Sequence, residues 1–253
     1  MVRQNRLLDK LKKGEAAIGC QVRSRSGLIA EIFGYGGFDY IFIENEHFAY
    51  NIESAEEVIR ACALSGTESI LRIPDHDPAK ILQYLDLGVK GLLLPHVDTG
   101  EQARAIVSAG KYRPLGCRGY SNTSRATLYG SIPMEEYKRL ANQNTMLIAF
   151  IESEEGVRNL EDILKSGIDA IHIGPGDLSE TITDPKELQK TLDYIVATAR
   201  KAGIPVASVS ATVEGAVALI KSGVSMVSYS SDLMLLKAAA EKAVTAFREG
   251  CGA

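Results

Sequence analysis

The chain has 253 residues, enough to bury a full core as one large α/β domain or two smaller ones. A composition of 45% hydrophobic and 24% charged residues is that of a water-soluble globular protein and excludes a disordered chain. A net charge of −4, from 28 basic and 32 acidic residues, gives no reason to expect nucleic acid or an anionic membrane as a partner.

The first residues, "MVRQNRLLDKLKKGEAA", lack the apolar centre of a signal peptide. They predict a short amphipathic helix with Leu7, Leu8 and Leu11 on one face. Eight apolar runs follow: 16–22, 40–46, 69–74, 91–97, 147–153, 170–176, 205–210 and 226–231. They are short and mostly continuous, as parallel strands covered on both faces require. Amphipathic stretches such as "SAEEVIRACALSG" and "TVEGAVALIKSG" lie between them. Gly37, Gly88, Gly167 and Gly223 stand where helices end, in the place of a left-handed cap. Asp77-Pro78 and Asp184-Pro185 mark helix starts. Eight strand–helix alternations without a linker predict a single (β/α)8 barrel, the TIM-barrel fold, over residues 1–253. An open doubly wound sheet is discounted, because "GCQVRSRSG" is not its glycine fingerprint. The irregular insert 111–133 is too long for a plain connection. The four cysteines are scattered with no C-x-x-C pair and read as core filler, so a reducing cytoplasm is expected. No apolar run reaches the length of a membrane span.

In such a barrel the reactive face lies at the C-terminal ends of the strands. Polar groups gather there in the sequence: Glu44-Asn45-Glu46-His47, Arg72, Pro95-His96, Glu152 and Asp177. Glu152 and Asp177, on neighbouring strand ends, would repel one another unless a cation or a shared proton lies between them. Two carboxylates completed by water suit Mg²⁺ or Mn²⁺. Each group also has a plainer role. Asp177 would serve as the N-cap of the helix starting at "DLSE", Asp86 as a solvated helix-end acid, and His172 as a hydrogen-bonded core residue. Arg23, Arg25, Arg118 and Arg125 would form a solvated rim. No lysine follows a strand in the manner of a Schiff-base aldolase.

The ordered set "IENEH", "LRIP", "LDLG…LLLPHV", "YRPLGCRG…SRA", "IES" and "IGPGDLS" resembles the HpcH/HpaI family of metal-dependent pyruvate aldolases, from about residue 16 onward. The resemblance implies a TIM barrel whose last helix is exchanged between subunits, commonly in hexamers. It implies a divalent metal (Mg²⁺, Mn²⁺ or Co²⁺) on Glu152 and Asp177. Gly176 and Asp177 would receive the substrate carboxylate on their backbone N–H groups, and Arg72 would hold the keto oxygen. His47 would act as base through water, with Asp86 orienting it. The implied reaction cleaves a 4-hydroxy-2-oxo acid to pyruvate and an aldehyde, in the breakdown of aromatic or sugar-acid metabolites. Alternatives are a related decarboxylase, an acyl-CoA lyase, or a 2-oxo acid binding protein without turnover. Four positions depart from the family pattern. Glu44-Asn45 replaces Asp-Gly, Phe150 replaces Gln, Gln21 replaces Trp, and the loop after Ser179 is short.

Overall fold

The computed structural model describes residues 4–252. Eight strands, all paired in parallel, close on themselves in sequence order. They are β1 Ala17–Val22, β2 Tyr40–Glu44, β3 Glu68–Arg72, β4 Gly91–Leu94, β5 Met146–Ile151, β6 Ala170–Ile173, β7 Val206–Ser210 and β8 Met226–Ser231. The fold is the expected TIM barrel. The apolar runs continue past several strands: β4 ends at Leu94 and β6 at Ile173, so Pro95-His96 and Gly174–Asp177 belong to loops and a helix start.

An N-terminal helix α1, Arg6–Lys12, precedes the barrel. The first half carries α2 Gly27–Tyr35, α3 Ile52–Ser65, α4 Pro78–Asp86, α5 Gly100–Gly110 and α6 Met134–Asn144. The second half carries α7 Glu154–Arg158, α8 Leu160–Leu164, α9 Pro175–Thr181, α10 Pro185–Lys201, α11 Val213–Ser222 and α12 Asp232–Gly250. The expected punctuation holds. Asp77 and Asp184 accept hydrogen bonds from the N–H groups of Ala79 and Lys186, both at 2.9 Å. Gly37, Gly88, Gly167 and Gly223 have φ of 94°, 86°, 95° and 108°, where a Cβ would be strained.

Alternation along each strand splits the core in two. Ile41, Ile43, Leu71, Leu92, Leu147 and Ile171 face outward against the helices. Tyr40, Phe42, Ile70, Leu93, Ile148 and Phe150 fill the barrel interior, where Leu7 and Leu8 of α1 join them. Asn5 donates to the Lys90 and Asn144 carbonyls at 3.2 and 2.9 Å, and the Arg6 N–H to Glu68 at 3.1 Å. Helix α1 is thus a plug at the N-terminal mouth of the barrel, which among the described residues leaves the opposite rim as the open end.

The insert 111–133 is anchored rather than loose. Arg118 is buried, donates to Asp86 at 2.6 Å and lies 4.8 Å from the Tyr112 ring centroid. Tyr112, Ile132, Tyr137 and Ala141 form a small core of their own beneath it. Cys20 and Cys62 are buried as expected, but Cys117 and Cys251 are exposed and fill no core.

Candidate active site

The C-terminal ends of β2 and β3 meet through one arginine. Register places Glu44 beside Arg72, and both side chains are buried. Arg72 Nε lies 3.0 and 3.1 Å from the two Glu44 oxygens, and Nη2 lies 2.5 Å from Oε2. Its Nη1 is 2.9 Å from Glu46 Oε2. The guanidinium also sits 5.1 Å from the Phe150 ring centroid and 5.8 Å from that of Phe42. Two acids and two rings fix its plane, as a planar fork donor permits. Glu44 Oε1 in addition accepts from the N–H groups of Glu46 and His47, at 2.9 and 3.4 Å. One carboxylate therefore shapes the turn that presents His47 and holds Arg72. The length of the glutamate side chain makes this clamp.

Glu152, just beyond β5, is 6% exposed. Burial pushes its carboxyl up to about 7, with further repulsion from Asp177 and Glu46; hydrogen bonding and charge from His96 oppose that rise. The His96 backbone N–H donates to Glu152 Oε1 at 2.6 Å, and its Nδ1 is 2.9 Å from the same oxygen. His96 Nε2 reaches to 3.3 Å from Glu46 Oε1. Its backbone has φ 51°, unusual for a residue with a Cβ, which turns the ring back over the barrel mouth. His96 and Glu46 are thus members of the site that sequence reading left without a role. Their one signal was position at a strand end.

Asp177 lies in the first turn of α9, and the N-cap of that helix is Gly174. The capping role expected for Asp177 is therefore not the observed one, and its side chain is left for the cavity. A Cβ on Gly174 would come 2.5 Å from the Phe150 ring and 2.7 Å from Glu152 Cβ, so glycine is needed where β6 turns into α9.

Gln21, Phe42, His47, Arg72, Phe150, His172, Gly176 and Asp177 line one cavity of about 190 Å³. Larger cavities, of about 290 and 450 Å³, lie under the insert and beside α1, away from this cluster. His47 is the exposed member, 67% by side chain, with Nε2 3.7 Å from Glu46. Asp86 is elsewhere. It ends α4, the helix that leads back to the start of β4, and it is held by Arg118. Within one chain, Asp86 and His47 stand at opposite ends of the barrel. Of the arginines expected on a solvated rim, Arg25 is exposed and donates to the Ala49 carbonyl at 3.1 Å, while Arg23 donates to Gln21 Oε1 at 3.1 and 2.6 Å and Arg125 to the Leu87 carbonyl at 2.7 Å.

Among the described residues, no group of three or more His, Cys, Asp or Glu side chains is arranged to hold a metal ion. A buried acid with an acidic neighbour, lacking a third protein ligand, fits a hard cation that keeps water or substrate oxygens. It does not fit a zinc site closed by protein groups.

The family model HpcH/HpaI aldolase/citrate lyase matches residues 17–239. This chain belongs to that family. It is 32% identical over 244 residues to the 2-dehydro-3,6-dideoxy-6-sulfogluconate aldolase of Pseudomonas putida, covering 94% of this chain and 95% of the relative. It is 32% identical over 253 residues to the 2-keto-3-deoxy-L-rhamnonate aldolase of Escherichia coli K12, covering 97% and 94%. An HpcH/HpaI aldolase/citrate lyase family protein from Burkholderia cenocepacia J2315 superposes with a TM-score of 0.90 at 24% identity, covering 97% and 100%, which attests the fold. Membership makes this HpcH/HpaI chain an enzyme of the lyase type, related to aldolases that act on keto-deoxy acids. Among the described residues, no helix is long and apolar enough to cross a membrane.

Proposed function

We propose that this chain is a divalent-metal-dependent aldehyde-lyase that cleaves a 4-hydroxy-2-oxo acid to pyruvate and an aldehyde. The observation that carries the reading is that Asp177 and clamped Arg72 line one strand-end cavity, with buried Glu152 close enough to Asp177 to feel its charge. Relatives named for keto-deoxy sugar acids favour a sugar-acid substrate over an aromatic metabolite. Glu152 and Asp177 would hold the metal, and Mg²⁺, Mn²⁺ or Co²⁺ suits them. When bound, such a cation supplies Lewis acidity that draws charge toward the keto oxygen.

The chain's own residues do the rest. Arg72 spends Nε and one Nη2 N–H on Glu44, while Nη1 meets Glu46 only as a charge pair, so N–H groups on both terminal nitrogens remain for the keto oxygen. These donors are already oriented, so stabilising the negative oxygen of the enolate needs no rearrangement. The backbone N–H groups of Gly176 and Asp177 receive the substrate carboxylate. His47, at the mouth, removes the C4 hydroxyl proton through water, a general-base role that imidazole side chains commonly fill. Asp86 is assigned the orientation of His47. Its place at the far end of α4 means that the contact requires a neighbouring subunit. The acyl-CoA alternative loses support, because the arginines that would meet a nucleotide tail are held by protein groups.

A homo-oligomer is part of the proposal. Only Asp232 of α12 is buried, while Leu236 and Phe247 are 65% and 72% exposed. A helix with such a face needs a partner surface. Exchange of α12 between subunits supplies one, and the hexamer implied by the family resemblance gives such an exchange a closed form.

The test is pyruvate enolisation. Metal-stripped protein is incubated with pyruvate in D₂O, Mg²⁺, Mn²⁺ or Co²⁺ is restored, and loss of the methyl proton signal is followed by NMR after chelation. Metal-dependent exchange that disappears in Glu152→Ala is the expected result. No exchange with any metal, from folded protein, would sink the reading.

A further inference from the structure

His76 has no part in the proposed reaction, yet it reaches the site from outside. It lies on the loop between Arg72, at the end of β3, and the start of α4 at Pro78. That loop is folded on itself: Asp75 accepts from the Asp77 N–H at 3.1 Å and pairs with Lys80. The half-buried imidazole of His76 leaves this turn toward the neighbouring loop, where its Nε2 is 2.5 Å from the Pro95 carbonyl oxygen. A carbonyl oxygen only accepts, so Nε2 carries the proton and donates. The Pro95 carbonyl belongs to the same peptide unit as the His96 N–H. That N–H donates to Glu152 Oε1 at 2.6 Å. One rigid peptide plane therefore takes a hydrogen bond from His76 on one edge and gives one to Glu152 on the other. The line of contacts crosses the ends of β3, β4 and β5, and it joins the strand that carries Arg72 to the strand that carries Glu152.

We infer that His76 is a positioning residue for Glu152, which it holds through the Pro95–His96 peptide in the orientation that receives a metal ion. The inference rests on the metal-dependent reading above and gives that site a support from a loop the reading leaves unused. The backbone of His96 is the first reason. Its φ is 51°, and a residue with a Cβ stays in the left-handed region only where its surroundings hold it there. Without that turn the His96 N–H would point elsewhere, and Glu152 would lose its backbone donor. His76 supplies the hold from the β3 side. The Val97 N–H, on the Phe150 carbonyl at 3.3 Å, supplies it from the β5 side. Polarisation is the second reason. Hydrogen bonds in series strengthen one another, so a donor on the carbonyl oxygen makes the N–H of the same peptide a better donor. That matters at Glu152, which is buried and has Asp177 and Glu46 as charged neighbours. Direction is the third. Both contacts of His96 with Glu152 fall on Oε1. Fixing one carboxylate oxygen fixes the direction of the other, and a cation shared with Asp177 needs that direction kept.

The test is Mn²⁺ binding by full-length, metal-stripped protein without substrate, the free ion being counted by electron paramagnetic resonance. His76→Ala and His76→Phe both remove the donor, and the second keeps a flat ring. His76 stands on a rim loop outside the barrel core, so these variants are expected to fold. Each should raise the Kd for Mn²⁺ about tenfold, as loss of a group that orients a metal ligand commonly does. His76→Gln carries an amide N–H about where Nε2 stands, and it should bring the Kd back to within about threefold of the wild type. A role in holding the loops together and nothing more would lower the urea midpoint and leave the Kd where it was. An unchanged Kd in a folded variant without the donor therefore overturns the inference. So does a His76→Gln variant that binds as weakly as His76→Ala. Wild-type protein that binds no Mn²⁺ overturns the metal-dependent reading and the inference with it. Wild-type protein that binds Mn²⁺ but never exchanges the protons of pyruvate overturns the aldolase reading alone, and the Kd series still decides the place of His76.

Discussion

At the scale of single residues, Glu44 has the largest reach. It is 1% exposed and compensates most of the buried charge of Arg72. Breaking a buried pair from one side leaves the other charge stranded. Glu44→Gln is expected to cost about 3 kcal/mol in urea unfolding. It should also lower kcat/KM for pyruvate exchange at least tenfold, because Arg72 loses its orientation. A variant that unfolds at the same urea concentration and turns over normally would remove the clamp from the argument. His172 gives a pH signature. Its folded pKa, about 3, lies below the ordinary histidine value, so between those two pH values the unfolded chain binds a proton that the native one refuses. Stability is then full above the ordinary value, is lost as pH falls toward about 3, and is flat below. The slope from this group is at most about 1.4 kcal/mol per pH unit. His172→Phe should flatten that part of the acid limb in a series of urea melts from neutral pH to pH 4. These contacts were out of reach of sequence reading for a plain reason. Glu44 meets Arg72 across strand register, and His96 reaches Glu152 only because of its φ. Neither register nor a single backbone torsion can be read from residue spacing. The strand-end position of Glu152, Asp177, Arg72 and His47 was legible, because acids appear there only after an apolar run is spent.

At the scale of elements, the reading was best where a local rule decides and poorest where a chain end needed tertiary context. Continuous apolar runs gave eight strands, and Asp-Pro pairs gave two helix starts, because burial on both faces and capping act within a few residues. The turn from β6 into α9 shows the limit. Asp177 has the chemistry of an N-cap, yet Gly174 takes that place, since Phe150 and Glu152 leave no room for a Cβ there. Gly174→Ala is expected to displace Glu152 and to raise the Mg²⁺ concentration needed for half-maximal exchange about tenfold or more, while the far-ultraviolet circular dichroism stays that of the wild type. An unchanged metal requirement would show that Glu152 is free to move. Helix α1 is a second case. The sequence showed its apolar face but not its target. Leu7→Ala, which empties part of the barrel floor, should cost about 2–5 kcal/mol in urea unfolding.

At the scale of the whole molecule, the barrel is complete within one chain but its surface is not. The apolar residues along α12 stand in solvent, as do Leu28, Ile32 and Tyr35 of α2. Phe247→Glu is expected to shift the mass measured by light scattering to a smaller species. If Asp86 works across subunits, the same change lowers exchange activity together with mass. Full activity in a monomer would withdraw Asp86 from the mechanism.

The plug formed by Leu7 and Leu8 also has a kinetic meaning. A barrel stoppered at its base is a cup with one door, so two products of different depth cannot leave in either order. In the proposed reaction the aldehyde, nearer the door, would go first, and the 2-oxo acid held by Arg72 would go last. Steady-state cleavage should then show pyruvate as a competitive inhibitor against the cleaved acid and the aldehyde as a noncompetitive one. Time spent waiting for the deeper product to leave becomes a ceiling on turnover set by the geometry of the cup rather than by the bond being broken.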